Sequence, residues 1–126
     1  MITSSPLVLV VDDEPLMCDI LRRILTKHGD RVITTSDGKA TLKLVKEKKP
    51  DVILLDLMMP GIDGREVCRR VREFSPKTQI IYFTAKVESD PLALKKLRSE
   101  ADAFITKPAT SKQILSKISG VMKGTH

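Results

Sequence analysis

Five short runs of mostly apolar residues, rich in valine, leucine and isoleucine, divide the chain. Runs of this length that end in polar or turn-forming residues are typical of strands buried on both faces. The second run is more polar than the others, which favours a place toward an edge of the sheet. The five predicted strands are residues 7–11, 31–35, 52–55, 79–84 and 103–106.

Each predicted strand is followed by a segment whose apolar residues recur at helical spacing. Pro15 and Pro91 suit the first turns of the first and fourth helices, and Gly29 suits the end of the first helix. Strand and helix therefore alternate five times. This alternation predicts an α/β fold in which a parallel sheet is covered by helices on both faces.

Two segments have the residue spacing of a capping box, in which side chains and backbone at the start of a helix bond to each other. Asp63 with Glu66 predicts the start of the third helix, and Thr110 with Gln113 predicts the start of the fifth. Gly120 lies within the apolar face of the fifth helix and is expected to interrupt that helix.

Polar side chains stand at the ends of four of the five predicted strands. Asp12 and Asp13 follow the first strand, and Asp56 follows the third. Thr84 ends the fourth strand, and Lys107 follows the fifth. Because the carboxyl ends of parallel strands meet at the edge of the sheet where ligands bind, we expect these side chains to form one site.

The acids of this expected site repel one another, by roughly 4 kcal/mol for two carboxylates about 4 Å apart at an effective dielectric constant near 20. A hard divalent cation removes this cost, and Mg²⁺ prefers oxygen ligands. The set contains no histidine or cysteine, which argues against zinc. Asp56 stands alone on the central strand, so it is the natural nucleophile for a phosphoryl group whose charge Mg²⁺ and Lys107 would neutralise.

Four motifs, in this order along the chain, carry a resemblance to a known family. They are VDDEP at 11–15, LDLMMPGIDG at 55–64, FTA at 83–85 and FITKP at 104–108. With these motifs the chain resembles the receiver domain of two-component response regulators over residues 7–122. The resemblance implies a five-stranded parallel sheet of order 2-1-3-4-5 in a flavodoxin-like, doubly wound fold, an order that alternation alone does not specify.

The resemblance also implies roles for individual residues. Asp56 matches the aspartate that accepts a phosphoryl group from a kinase phosphohistidine. Asp12 and Asp13 match the carboxylates that bind Mg²⁺ together with Asp56 and the backbone carbonyl of Met58. Lys107 matches the lysine that pairs with the phosphoryl group.

Further positions match the residues that switch the family between two states. Thr84 matches the hydroxyl that moves toward the phosphoryl group, and Phe104 matches the aromatic residue that then turns inward and changes the surface of the fourth helix, fifth strand and fifth helix. Pro108 matches a proline that often follows a cis peptide bond. Met58 and Lys86 occupy positions that tune dephosphorylation, and the apolar Met58 predicts a long-lived phosphoaspartate.

The expected protein is therefore a signalling switch rather than a turnover enzyme, although it catalyses its own phosphoryl transfer and slow autodephosphorylation. Its expected partners are a sensor histidine kinase or a histidine phosphotransferase, together with an unidentified output partner. The 126 residues suffice for one compact domain. We expect a flexible leader at 1–6, the receiver domain at 7–123 and a tail at 124–126.

Composition and charge limit the further classes of partner that the chain is expected to bind. The net charge of +6 raises nucleic acid as a partner, but the basic residues are spread over all helical segments and only 3% of residues are aromatic, so nucleic-acid binding is not expected. No stretch approaches the roughly 18 apolar residues of a membrane span, and no signal pattern is present. Cys18 and Cys68 are far apart and are expected to be buried thiols, which fits a cytoplasmic protein. We expect a monomer or weak dimer.

Three other functions fit parts of the pattern. A phosphatase of the haloacid dehalogenase type also uses an aspartate nucleophile at a strand end, but it needs a second acid two residues later, where this chain has Met58. A nucleotide or flavin binder needs a glycine-rich phosphate turn after the first strand, where this chain has acids. A receiver-like scaffold that binds partners without phosphorylation stays open as the alternative.

Overall fold

The computed structural model describes residues 5–59, 63–85 and 90–123. In this part of the chain strands and helices alternate as the apolar pattern predicts. The strands are β1 (Leu7–Val11), β2 (Arg31–Thr35), β3 (Val52–Leu55), β4 (Gln79–Thr84) and β5 (Ala103–Thr106). The helices are α1 (Pro15–His28), α2 (Gly38–Lys48), α3 (Gly64–Phe74), α4 (Pro91–Glu100) and α5 (Ser111–Lys123).

The strands form one parallel sheet in the order β2-β1-β3-β4-β5, so the predicted topology is confirmed. All residues of the central strand β3 are buried, whereas the edge strand β2 has no fully buried residue. This difference explains why the second apolar run is the more polar one. Val11 pairs with Leu55 in register, so the residues that follow β1 and β3 leave the sheet side by side.

Helices cover both faces of the sheet, and each face has its own apolar core. Burial of one large aliphatic side chain contributes about 1.5–3 kcal/mol, so these cores are the main source of stability. On the first face, α1 and α5 pack Leu21, Leu25, Ile114, Ile118 and Val121 against the sheet. On the second face, α2 and α3 pack Val45, Val67, Cys68 and Val71 against it. The remaining helix of that face, α4, has no buried residue.

Local signals set several helix ends as predicted. Helix α1 begins at Pro15 and ends at Gly29, whose φ of +102° lies in the left-handed region that favours glycine. Thr110 and Gln113 form the predicted capping box at the start of α5. The backbone N–H of Thr110 donates to Oε1 of Gln113 at 2.8 Å, and the backbone N–H of Gln113 donates to Oγ1 of Thr110 at 3.1 Å.

The other predicted capping box forms only in part. Asp63 does cap α3, but it accepts a hydrogen bond from the backbone N–H of Arg65 at 3.0 Å. The carboxylate of Glu66 pairs instead with Arg69 and Arg70 on the following turn. Two arginine charges one turn away compete successfully with a neutral backbone donor, because charge-assisted hydrogen bonds are the stronger kind.

The prediction that Gly120 interrupts the last helix was wrong, since α5 runs unbroken from Ser111 to Lys123. A glycine in a helix interior costs about 1 kcal/mol relative to alanine. Ile118 and Val121 are buried on either side of Gly120, and their burial outweighs that cost.

The segment before β1 is hydrogen-bonded to the first residue of β2. The backbone carbonyls of Ser5 and Pro6, both in the predicted leader, accept hydrogen bonds from Arg31. Residues 1–4 of that leader and the predicted tail at 124–126 lie outside the described residues. The peptide bond between Lys107 and Pro108 is cis, as the resemblance implies. Among the described helices, none is long and apolar enough to cross a lipid bilayer.

Candidate functional site

Three aspartates meet at the carboxyl edge of the central strands. Asp12 follows β1 and Asp56 follows β3, and the backbone N–H of Asp56 donates to the carbonyl of Val11 at 3.0 Å. Carboxylate oxygens of Asp12, Asp13 and Asp56 lie within 4.8 Å of one another. Asp12 and Asp56 are buried, whereas Asp13 is half-buried. The predicted convergence of these acids is therefore present, and we call the three residues the acid cluster.

Lys107 reaches the acid cluster from the loop after β5. Its Nζ donates to Oδ2 of Asp12 at 2.6 Å and to Oδ2 of Asp56 at 3.3 Å. Nζ also lies 5.2 Å from the centre of the Phe83 ring, within cation–π range. Burial alone would lower the pKa of Lys107, but the hydrogen bonds and charges of Asp12 and Asp56 outweigh it and raise that pKa. The lysine is thus held as a cation between two carboxylates.

The acid cluster fits a hard divalent cation. Three carboxylates against the one ammonium of Lys107 leave negative charge uncompensated at a largely buried place. All the side-chain donors are carboxylate oxygens, which suit Mg²⁺, and the cluster contains neither histidine nor cysteine. A cation here would offset the mutual repulsion of the acids, which is of the order of several kcal/mol for close pairs.

The turn after β3 folds back onto the carboxylate that it carries. Oδ1 of Asp56 accepts a hydrogen bond from the backbone N–H of Met58 at 2.9 Å, while the Met58 side chain is 55% exposed. Gly64, at the start of α3, lies against this turn. A Cβ at Gly64 would stand 2.9 Å from Cα of Leu57 and 3.0 Å from the backbone oxygen of Asp56. Glycine therefore lets α3 approach the backbone of the acid cluster.

The two predicted switch residues lie on neighbouring strands. Thr84 is fully buried at the end of β4, and its backbone carbonyl accepts from the backbone N–H of Lys107 at 3.0 Å. Thr84 therefore stands at the same sheet edge as the acid cluster. Phe104 is half-buried on the edge strand β5 and packs with the apolar core on the side of α2, α3 and α4. Lys86, the other predicted tuning position, lies outside the described residues.

A polar network beside Phe104 was not foreseen from the sequence. Glu100, the last residue of α4, accepts hydrogen bonds from the hydroxyl of Tyr82 at 3.1 Å and from Nε of Arg65 at 2.8 Å. The Tyr82 and Phe104 rings meet edge to face, with centroids 6.4 Å apart. The guanidinium of Arg98 lies 5.6 Å from the Phe104 centroid. We call Arg65, Tyr82 and Glu100 the Glu100 network.

No local signal identifies the Glu100 network in the sequence. Arg65 and Glu100 are 35 positions apart, and Tyr82 reads as an ordinary residue of a buried strand. Only the fold brings the start of α3 next to the end of α4. An arginine and a glutamate on two amphipathic helices would otherwise pass for solvated surface residues.

Both cysteines are free thiols with structural contacts. Cys18 was expected to be buried but is half-buried, and its Sγ donates to the backbone carbonyl of Asp12 at 3.4 Å. Burial and the nearby charge of Asp12 raise the pKa of the Cys18 thiol, so it stays protonated. Cys68 is buried as expected, and its Sγ donates to the backbone carbonyl of Glu100 at 3.5 Å.

A family model described as the response regulator receiver domain matches residues 8–119 of this chain. The chain therefore belongs to the response regulator receiver domain family. The matched range includes the acid cluster, Thr84, Phe104 and Lys107. The resemblance drawn from the four motifs is thereby confirmed, and the protein is a receiver domain of response regulators, a signalling switch.

Individual relatives agree with this assignment. The transcriptional regulatory protein AfsQ1 of Streptomyces coelicolor is 38% identical over 118 residues, which are 94% of this chain and 52% of that protein. The chain thus spans about half the length of this relative. Among solved structures, a Francisella response regulator receiver domain has 28% identity and a TM-score of 0.85, with 97% of this chain and 100% of that chain covered. The regulator TrrA from Thermotoga maritima, solved in complex with Mg²⁺ and BeF, has 29% identity and a TM-score of 0.81, with 92% and 98% covered.

Proposed function

We propose that this receiver domain is a phosphoacceptor and that Asp56 takes the phosphoryl group. A carboxylate oxygen of Asp56 attacks the phosphorus of a phosphohistidine on a sensor histidine kinase or a histidine phosphotransferase. The bond between phosphorus and the imidazole nitrogen breaks, an acyl phosphate forms on Asp56, and the imidazole takes up a proton. The domain proposed to do this spans residues 7–123, between the leader at 1–6 and the tail at 124–126.

The observation that supports this proposal is the position of Asp56 within the acid cluster and in contact with Lys107. The nucleophile in such a transfer is a carboxylate oxygen, and the Lys107 ammonium lies 3.3 Å from Oδ2 of Asp56. The same ammonium can neutralise charge on the oxygens of the transferring phosphoryl group. Thr84, at the same edge of the sheet, is proposed to donate a hydrogen bond to a further phosphoryl oxygen.

The proposed magnesium ligands are Asp12, Asp13, Asp56 and the backbone carbonyl of Met58. When bound, Mg²⁺ supplies positive charge that offsets the acids and the oxygens of the phosphoryl group. The chain itself sets the positions and orientations of these carboxylates. Register pairing of the central strands sets Asp12 beside Asp56, and the backbone N–H of Met58 orients the Asp56 carboxylate.

The proposed output of phosphorylation is a change of the surface formed by α4, β5 and α5. Thr84 would move toward the phosphoryl group, and Phe104 would turn inward. The location of Phe104 supports this, because its ring lies between Tyr82 on β4 and Arg98 on α4. The output partner would bind this surface in one of its two states, and the domain would act as a monomer or weak dimer.

Intact mass after incubation with Mg²⁺ and acetyl phosphate tests the proposal. We expect a single phosphoryl adduct that is absent in Asp56→Asn and absent when EDTA removes the metal. Cys18→Ser is a suitable matched control, since it alters a neighbour of the acid cluster without removing a carboxylate. Absence of the adduct in the wild type, with acetyl phosphate and with a histidine kinase as donor, would instead favour the scaffold that acts without phosphorylation.

The lifetime of the phosphoaspartate follows from Met58. Its thioether is a weak acceptor and cannot align an attacking water, so we expect slow hydrolysis. Met58→Asn supplies an amide that can hydrogen-bond a water, and we expect about a 10-fold shorter lifetime from that change, which corresponds to about 1.4 kcal/mol, the contribution of one hydrogen bond. The decay of the phosphoryl adduct, followed by intact mass, measures this lifetime. A wild-type half-life of only seconds in the presence of Mg²⁺ would contradict this prediction.

A further inference from the structure

Glu100 itself has no part in the function proposed above, yet it makes many contacts with neighbouring elements. The carboxylate of Glu100 accepts hydrogen bonds from Nε and Nη2 of Arg65 and from the hydroxyl of Tyr82. Its backbone carbonyl accepts hydrogen bonds from Nη2 of Arg72 at 3.3 Å and from Sγ of Cys68 at 3.5 Å. Side chains of α3 and β4 thus bind both the side chain and the backbone at the end of α4.

These contacts add to the limited apolar packing of α4, whose Leu97 is only partly buried against the core of the second face. No residue of α4 is buried, and Leu92 near its start is 78% exposed. A bidentate bond between arginine and a carboxylate requires a specific geometry, so it defines one position of the helix end. Arg65 donates to the Glu100 carboxylate and holds its pKa below the ordinary value against the opposing effect of burial, so the carboxylate is charged at neutral pH.

The network also touches the proposed switch residue. The Tyr82 ring packs against Phe104 with an angle of 77° between the ring planes, and Arg98 of α4 covers Phe104 at 5.6 Å. Phe104 is therefore held between a tyrosine bound to Glu100 and an arginine of the helix that Glu100 ends. If Phe104 turns, it loses the edge-to-face contact with Tyr82 and the contact with Arg98.

We propose that Glu100 is a positioning residue that, through Tyr82 and Arg65, holds Phe104 and α4 in the arrangement seen here and opposes the switch driven by phosphorylation of Asp56. This inference rests on the proposed phosphoacceptor function. A contact that favours one of two states reduces the population of the other. By thermodynamic linkage, loss of the Glu100 contacts favours the switched state and promotes phosphorylation of Asp56.

Tyr82 makes the inference directly observable, because the chain has one tyrosine and no tryptophan. Tyrosine emission is quenched when the hydroxyl donates to a carboxylate. We expect wild-type emission to rise as acetyl phosphate and Mg²⁺ form the mass adduct. Asp56→Asn with the same additions should show no rise. Glu100→Gln should be brighter than the wild type before phosphorylation and change less on adduct formation.

The rate of adduct formation is the second readout. Tyr82→Phe keeps the ring against Phe104 and removes only the hydroxyl, so it is a conservative variant that should fold. We expect Tyr82→Phe and Glu100→Gln to form the adduct about 2- to 10-fold faster, the range typical of coupling through one contact network. Glu66→Gln is the matched control. It makes the same charge change and removes pairs with Arg69 and Arg70 within α3, so its rate should equal that of the wild type.

The outcomes separate the inference from the function on which it rests. Equal or slower rates in Tyr82→Phe and Glu100→Gln, or wild-type emission that is unchanged while the adduct forms, would overturn the role of Glu100 and leave the phosphoacceptor function standing. A rate increase of the same size in Glu66→Gln would also overturn it, because the effect would then be one of net charge. A wild type that forms no adduct with any donor would overturn both.

Discussion

The layer formed by α1 and α5 and the helix α4 are attached to the same sheet by different kinds of contact. Helix α5 buries Ile114, Ile118 and Val121, whereas α4 buries no residue and is held at its end by hydrogen bonds to Glu100. Apolar burial is non-directional and scales with area, whereas a hydrogen bond weakens steeply when its geometry is lost. The first kind of contact suits a permanent layer, and the second suits an element that has two positions.

The largest expected effect is on the apolar layer. Ile118→Ala in α5 should lower the free energy of unfolding by about 2–5 kcal/mol, because it removes buried methylene groups and leaves a cavity. Leu97→Ala in α4 is the matched change on the other side. Leu97 is only partly buried, so the expected loss there is roughly 1 kcal/mol. Urea denaturation of both variants measures the difference, and equal losses would contradict the comparison.

The next effect concerns the place where α3 meets the acid cluster. Gly64→Ala should lower the free energy of unfolding by about 1–3 kcal/mol, because its Cβ collides with backbone atoms of Leu57 and Asp56. Phosphorylation of Asp56 should slow as well, since the turn that carries the carboxylate must shift. Gly120→Ala is the control. No atom surrounds a Cβ there, and the change should stabilise α5 by about 0.5–1 kcal/mol.

The comparison of these two glycines shows what the sequence alone conveys. Of the two, only Gly120 was given a structural role of its own from the sequence, and that prediction was wrong. The requirement for glycine at position 64 arises from the approach of β3 and α3, which are adjacent in space because of the sheet topology. Periodicity identifies elements and their buried faces, but it carries no information on the distance between two backbones.

The candidate site was likewise predictable from the sequence only in part. Asp12, Asp56 and Lys107 were predicted to converge because each follows a strand, and one rule places all such positions at one edge. The strand order came from the family motifs rather than from the alternation of elements. Glu100 and Tyr82 were missed because their contact depends on helix packing across the second face, for which no sequence rule of comparable strength exists.

Acid pH should weaken the Glu100 network specifically. Hydrogen bonds from Arg65 lower the pKa of Glu100 below its ordinary value of 4.5, an effect that burial partly opposes. A carboxyl group whose pKa is lower in the folded state adds stability above the unfolded pKa and loses it as pH falls through the folded pKa. The wild type should therefore exceed Glu100→Gln in stability at about pH 7 and lose that excess as the pH falls below the ordinary pKa of 4.5 and through the lower pKa of the folded state.

Thermal unfolding of the two proteins across this range measures the effect. Because both carry the same acid cluster, the pH dependence of those carboxylates is common to both and drops out of the difference. A difference between wild type and Glu100→Gln that stays constant down to acid pH would show that the charge of Glu100 contributes nothing to the attachment of α4.

The smallest expected effect on stability comes from ion pairs, and it differs between a pair within one helix and a pair that joins two helices. Arg70 donates to Glu66 at 3.1 Å on the same helix α3, four positions apart, and Arg70 is exposed whereas Glu66 is half-buried. Arg70→Gln should change the free energy of unfolding by only about 0.3–0.5 kcal/mol, as is usual for such pairs. Arg65→Gln removes an arginine that joins α3 to α4, and the expected loss is roughly 1 kcal/mol. The contrast should be larger in phosphorylation rate than in stability, because only Arg65 acts on the helix that is proposed to move. If both variants are phosphorylated at the wild-type rate, the hydrogen bonds that attach α4 do not change during the switch. The two helical layers would then differ in the chemistry of their contacts but not in mobility.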